Sequence, residues 1–178
     1  TEAVGGFIVT ASHNPVEWNG IKFLRPDSTF FHPEECQDLF NIVDQNVELK
    51  KSKEAGIVWP EQNAIQKHVI ACASISCIDL NRIQRRKFKV VIDAVNGAGA
   101  IALPNMLEAL GCEVIELNCE PDGNFTRGTE PLPENLNDLS TMVKNHNADA
   151  GFAVDPDADR LAVVNEHGEP LGEEYTIV

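Results

Sequence analysis

The sequence predicts an α/β fold, with open mixed sheets flanked by helices. Three observations carry that expectation. Residues 88–95 are a near-continuous apolar run, as expected of a strand buried on both faces. The run turns through Asn96-Gly97-Ala98-Gly99 into a helix-patterned stretch ended by Gly111, and a further apolar run follows. From residue 88 onward strand, helix, strand, helix and strand alternate, the order of a sheet built with right-handed crossovers.

Taken in order, residues 7–9 and 21–24 read as strands on either side of the loop Thr10-Ala11-Ser12-His13-Asn14-Pro15. Pro26-Asp27-Ser28-Thr29 is a turn. His32-Pro33-Glu34-Glu35 opens a helix, with proline early and acids in the first turn where the helix dipole favours them. Leu39, Phe40, Ile42, Val43 and Val47 give that helix an apolar stripe. Residues 50–56 are polar, aperiodic and expected to link two domains. A second helix is predicted over 62–78, with Ile65, Val69, Cys72 and Ile75-Ser76 on or near one face. Residues 112–117 form the strand after Gly111, and Pro133-Glu134-Asn135 starts a helix running to about His146. Two more strands, 150–154 and 161–164, flank a loop. There is no internal repeat and no low-complexity tract.

The 178 residues suit one or two domains, and 43% hydrophobic with 24% charged residues is ordinary for a globular protein. Against 14 basic residues stand 28 acidic ones, a net charge of −14. That balance argues against nucleic acid or an anionic membrane as partner, because phosphate backbones need a positive footprint. An anionic substrate must then be met by a local positive cluster or a metal. No apolar run reaches membrane-spanning length, and nothing resembles a secretory signal. Cys36, Cys72, Cys77, Cys112 and Cys119 are odd in number and never form C-x-x-C, so they read as reduced core residues of a cytoplasmic protein. Asn124-Phe125-Thr126 matches a glycosylation sequon, but that compartment argues against its use. The chain opens on Thr1 and closes just after Glu173-Glu174 start a new element, so a longer parent protein is expected.

The densest chemical signal is Asp155-Pro156-Asp157-Ala158-Asp159-Arg160, directly after Phe152-Ala153-Val154. Three carboxylates at alternate positions of a curling loop converge as hard oxygen ligands for Mg2+ or Ca2+, and a cation relieves their mutual repulsion. Ligands of open α/β sheets sit outside the carboxyl ends of strands, where this loop falls. An EF-hand is rejected, because Arg160 stands where the calcium loop needs glycine. An aspartyl nucleophile of the haloacid-dehalogenase type fits the strand, but Ala158-Asp159 depart from its pattern and the serine loop goes unexplained. Residues 96–102 match the dinucleotide fingerprint G-x-G-x-x-A, although tight strand-to-helix turns need small residues whatever they bind.

Ser12-His13-Asn14-Pro15 is a good turn by itself. Its setting, after a strand, stiffened by Pro15 and followed by Lys22, suits a serine that carries phosphate. A phosphoserine bears about −1.5 to −2 charge, which a cation, a lysine and an arginine would complement.

Together, "TASHNP", "DPDADR", Lys22 in "NGIKF" and the turn of "VVIDAVNGAGA" resemble the α-D-phosphohexomutase superfamily: phosphoglucomutase, phosphomannomutase and phosphoglucosamine mutase. The similarity covers nearly the whole chain and implies a partial multi-domain phosphohexomutase architecture. It implies that residues 1–58 are the C-terminal part of domain I with the phosphoserine loop, 59–166 are domain II with the metal loop, and 167–178 lead toward domain III. By the same resemblance Ser12 is the phosphoserine, and Asp155, Asp157 and Asp159 bind Mg2+ together with a phosphoserine oxygen. Lys22 assists proton movement or charge balance at the sugar hydroxyl, His13 orients the serine loop, and Arg160 contacts the phosphoryl group.

The implied reaction interconverts hexose 1-phosphate and 6-phosphate through a 1,6-bisphosphate, with glucose 1,6-bisphosphate or a similar hexose bisphosphate as activator. The phosphosugar is the expected partner. Sugar- and phosphate-recognition loops of the later domains have no counterpart here, so turnover by this chain alone is not expected. Arg127-Gly128-Thr129-Glu130-Pro131 mimics the last domain's phosphate loop, but the following Leu132-Pro133-Glu134-Asn135-Leu136 suits a second-domain segment, and the likeness reads as accidental. A truncated first domain is expected to expose sheet edge and apolar surface. Phosphomannomutase/phosphoglucomutase is the activity expected first; the competing readings are a phosphoglucosamine mutase and a non-catalytic, divalent-metal-binding α/β module in which Ser12 is only a turn residue.

Overall fold

The structure, a computed structural model, describes residues 3–48, 54–172 and 175–176. Residues 50–53 of the expected linker, with all three of its lysines, and the Glu173-Glu174 start of a new element lie outside the described residues. The chain divides into two compact units, one of Thr1–Ala11 and Asn19–Glu61, the other of Ser12–Trp18 and Gln62–Val178.

In the first unit β1 (Gly6–Val9) and β2 (Ile21–Leu24) pair antiparallel, Gly6 opposite Leu24 and Val9 opposite Ile21. Thr10 N–H donates to the Gly20 carbonyl at 3.0 Å, an approach so close that a Cβ on Gly20 would lie 2.7 Å from the Thr10 oxygen. Helix α1 (Pro33–Asp44) begins where Glu35 accepts the His32 N–H at 2.8 Å, satisfying one of the helix-entry donors. It ends at Asp44, so Val47 lies beyond it. The predicted apolar stripe is present but largely uncovered: Phe40, Ile42 and Val43 are exposed, as are Phe7, Ile8 and Val9 of β1. No described residue of this unit is buried.

The second unit holds the core. Its sheet has the order β4-β3-β5-β6, formed by β3 (Lys89–Asp93), β4 (Glu113–Leu117), β5 (Ala150–Val154) and β6 (Leu161–Asn165). β3 runs parallel to β4 and β5, and β6 returns antiparallel to β5. One face, with Val91, Ala153, Ala162 and Val164, packs on Leu139 and Val143 of α5 (Asn137–His146). The alternate face, with Val154 and Ala94, packs on Ala100 and Leu103 of α4 (Gly99–Ala109). Because successive side chains of a strand point to opposite faces, helices on both sides bury both faces of β3: residues 90–93 are all buried, apolar at Val90, Val91 and Ile92 and closed by Asp93. Gly151 lets α5 settle on the sheet, since a Cβ there would meet Val143 at 2.8 Å.

Three sequence expectations are corrected. The helix predicted over 62–78 stops at Ala73: α2 spans Ala64–Ala73, and the Ser74 hydroxyl bonds back to the Ile70 carbonyl at 2.7 Å as the chain turns. A further helix, α3 (Leu80–Arg86), follows, capped by Asp79, whose carboxylate accepts the Arg82 N–H at 2.9 Å. Pro133–Asn135 forms a separate 3-10 turn, so α5 starts only at Asn137. The cysteines are not fully buried: all five thiols are free, Cys77 is exposed and the rest are half-buried, Cys119 packing against the Ala94, Ala100 and Val154 cluster.

Candidate active site

The loop after β5 curls back on its first residue. Asp155 is fully buried, and its Oδ1 accepts the N–H groups of Asp159 at 3.0 Å and Arg160 at 3.1 Å. The Ala158 N–H closes the same turn on the Asp155 carbonyl at 3.0 Å, with Ala158 in the left-handed region at φ 59°. This fold-back brings one carboxylate oxygen each of Asp155, Asp157 and Asp159 within 4.8 Å of one another. Asp155 Oδ2 is buried and accepts no hydrogen bond from the described residues. Burial, opposed by the Arg160 N–H and reinforced by the charges of Asp157 and Asp159, pushes the Asp155 carboxyl up to about 6. An all-oxygen set of this kind is able to hold a hard divalent cation.

The turn after β3 supports this loop. Val95 and Asn96 both take left-handed conformations, at φ 48° and 56°, and the Asp93 carboxylate accepts the Val95 N–H at 2.9 Å. A β-branched residue rarely adopts that conformation, so the surroundings must hold it there. Gly97 then lies against Pro156 of the aspartate loop, where a Cβ would come within 2.5 Å of the Pro156 oxygen. The Ala98 N–H donates to the same oxygen at 2.8 Å. The close backbone approach that a dinucleotide fingerprint offers to a phosphate is taken up here by Pro156.

Ser12 is also left-handed, at φ 55°, and its Oγ lies 3.3 Å from His13 Nδ1. The turn continues with the Trp18 N–H on the Pro15 carbonyl at 3.0 Å. The His13 carbonyl accepts a hydrogen bond from the Thr129 hydroxyl. A cleft of about 500 Å³ is lined by residues 15–17 and 123–129. Arg160, the last residue of the aspartate motif, forms an ion pair with Glu130. Lys22 stands on β2 of the first unit, opposite Ile8. Ser12, His13, the three aspartates and Arg160 therefore all fall within the second unit, and Lys22 within the first.

The family model "Phosphoglucomutase/phosphomannomutase, alpha/beta/alpha domain II" matches residues 66–168, and the corresponding domain I model matches residues 1–50. The chain belongs to the phosphoglucomutase/phosphomannomutase family. Among curated relatives it is 40% identical over 168 residues to the "Probable phosphoglucosamine mutase" of Methanopyrus kandleri, covering 94% of this chain and 36% of that protein. It is 38% identical to the "Phosphoglucomutase/phosphomannomutase" of Thermococcus kodakarensis, covering 93% and 36%. A crystal structure of a phosphoglucomutase/phosphomannomutase family protein from Burkholderia thailandensis superposes with a TM-score of 0.68 at 30% identity, covering 92% of this chain and 34% of that one. The chain thus spans about a third of the length of the family members it matches.

Sequence reasoning missed four residues around this family's aspartate loop: Asp93, Arg127, Thr129 and Glu130. Arg127 and Asp93 form a buried ion pair, Nε to Oδ2 at 2.8 Å, with side chains 8% and 1% exposed. An acid closing the apolar Val90-Val91-Ile92 run is the available signal for Asp93. The other three lie in the segment whose likeness to a phosphate loop reads as accidental in the sequence.

Proposed function

We propose that this chain supplies the phosphoryl-transfer machinery of a phosphohexomutase, with Ser12 as phosphate carrier and Asp155, Asp157 and Asp159 as ligands of one Mg2+. The observation that carries this reading is the buried Asp155 Oδ2, lacking a hydrogen bond within a set of converging carboxylate oxygens. A buried acceptor without a donor destabilises the fold, and a bound cation offsets that cost. When bound, a divalent cation draws charge from a transferring phosphoryl group.

The residues of the chain then divide the work. Ser12 stands half-buried on a left-handed turn, and His13, whose Nδ1 lies 3.3 Å from the Ser12 Oγ, sets the direction of that oxygen. A sugar hydroxyl oxygen attacks the phosphorus of phosphorylated Ser12. The bond from phosphorus to Ser12 Oγ breaks, and the sugar proton leaves to a base. Lys22 assists that proton movement or balances the charge, and Arg160 contacts the phosphoryl oxygens. The product is a hexose 1,6-bisphosphate, whose other phosphate returns to Ser12 after the sugar reorients. Glucose 1,6-bisphosphate or a similar bisphosphate is the activator that loads Ser12 initially.

The substrate is a phosphate of glucose or mannose, or of glucosamine as the second reading, which the name of the Methanopyrus kandleri relative favours. Because the chain spans about a third of such relatives, it is expected to accept phosphate on Ser12 without completing the isomerisation. Intact mass with phosphosite mapping tests the reading, before and after incubation with glucose 1,6-bisphosphate and Mg2+. An added mass of about 80 Da on Ser12, stable to hydroxylamine and removed by alkali, is the expected result. Phosphate on Asp155 instead, labile to hydroxylamine, would make this an aspartyl phosphotransferase. A Ser12 left bare after incubation would leave only the metal-binding module.

A further inference from the structure

Arg127-Gly128-Thr129-Glu130 touches three separate parts of the second unit within four residues. At one end Arg127 is fastened to the carboxyl ends of two parallel strands. Its Nε donates to Asp93 Oδ2 at 2.8 Å, and its Nη2 donates to the Val154 carbonyl at 2.7 Å, directly before Asp155. Two residues on, the Thr129 hydroxyl donates to the carbonyl of His13, 116 positions earlier in the chain. At the other end Glu130 pairs with Arg160, and the Asn135 side chain donates to the Glu130 carbonyl at 2.8 Å, tying the segment to the 3-10 turn before α5.

We propose that residues 127–130 are a bracket that sets the serine loop against the aspartate loop, with Thr129 as the positioning residue for Ser12. The bracket acts through backbone and neighbouring side chains and touches no reacting atom, so Thr129 is not catalytic. Its ends are anchored in the sheet by a buried ion pair and at the aspartate loop by the Glu130–Arg160 pair. The serine loop is thereby tied to the same rigid strand ends that carry Asp155. In phosphoryl transfer, which depends almost wholly on positioning and electrostatics, a misplacement of about 1 Å is enough to cost roughly a hundredfold in rate. The consequence for Ser12 rests on the mutase reading, whereas the mechanical role of Thr129 does not.

The test compares wild type with Thr129→Val, which keeps the shape and removes the donor, and with Thr129→Ser, which restores it. Backbone order parameters of Ser12–Trp18 are read by nitrogen-15 relaxation, with β3 and β5 amides as the control for intact folding. In Thr129→Val the loop values should fall from about 0.85 toward about 0.6 while the strand values hold, and Thr129→Ser should return them. The rate of Ser12 loading from glucose 1,6-bisphosphate and Mg2+ should fall about tenfold or more in Thr129→Val and recover in Thr129→Ser. Loop order unchanged in Thr129→Val, or not restored by Thr129→Ser, overturns the bracket. A wild-type chain that never loads Ser12 overturns the mutase reading instead, and the order parameters still decide the bracket.

Discussion

Replacing Asp155 by asparagine probes the aspartate loop through stability, without relying on turnover. The carboxyl of Asp155 is fully buried, and burial foremost, together with the charges of Asp157 and Asp159, raises it from 3.8 to about 6 against the lowering effect of the Arg160 N–H. The folded state therefore holds this proton more tightly than the unfolded chain does. The stabilising contribution is fully present below about 3.8 and is lost as pH rises through about 6. Without metal, a change of that size costs the folded state about 3 kcal/mol at pH 7.5. An asparagine carries no charge to desolvate, and its oxygen still accepts the Asp159 and Arg160 N–H groups. Asp155→Asn should then be more stable than wild type by up to about 3 kcal/mol at pH 7.5 in EDTA, and by only about 1 kcal/mol at pH 4.5. Mg2+ at pH 7.5 should reverse the order, because only wild type gains the cation. Urea unfolding followed by the amide signals of β3 and β5 measures this in the unit that carries the loop. An Asp155→Asn chain less stable than wild type at pH 7.5 in EDTA, or stabilised equally by Mg2+, would refute the reasoning.

Two further predictions concern what holds the loop in place. Arg127→Ala leaves Asp93 buried beside its lost partner and removes the donor to the Val154 carbonyl, so it should cost about 3–5 kcal/mol in urea unfolding. A loss under about 1 kcal/mol would mean that the ion pair contributes little. Gly97→Ala drives a methyl to within 2.5 Å of the Pro156 oxygen and should cost about 1–3 kcal/mol while weakening Mg2+ binding. Thermal melts with and without Mg2+ check both effects, and wild-type behaviour would show that the turn yields freely.

Much of the second unit was legible because its signals are local. The apolar run at 88–95 marked β3, Gly111 marked the end of α4, and the Asp155 motif fell after a strand as expected. The break between α2 and α3 was not legible. Ile75 continues the apolar pattern of 62–78, and the break shows only in the folded backbone, where the Ile75 N–H donates to the Cys72 carbonyl at 3.1 Å and the Ile78 N–H to the Ile75 carbonyl at 2.9 Å. Pro133 is a sound helix-opening residue, yet its turn stays 3-10 and α5 begins four residues later, after the fully buried Leu136. Cysteine burial was misjudged because scarcity of pairing motifs speaks to redox state and says nothing of depth.

The sequence by itself determined the alternation of strands and helices, the family resemblance and the identity of the candidate nucleophile and metal ligands. Each is written in adjacent or periodic residues, and periodicity sets which face of an element turns inward. Only the tertiary structure decided what surrounds those residues. The convergence of the aspartates comes from a loop folded onto buried Asp155, and the raised carboxyl follows from that burial. Arg127 meets Asp93 across 34 positions, and Thr129 meets His13 across 116. Such pairs leave no local pattern, because a charge or hydroxyl is buried wherever the assembled fold supplies its partner.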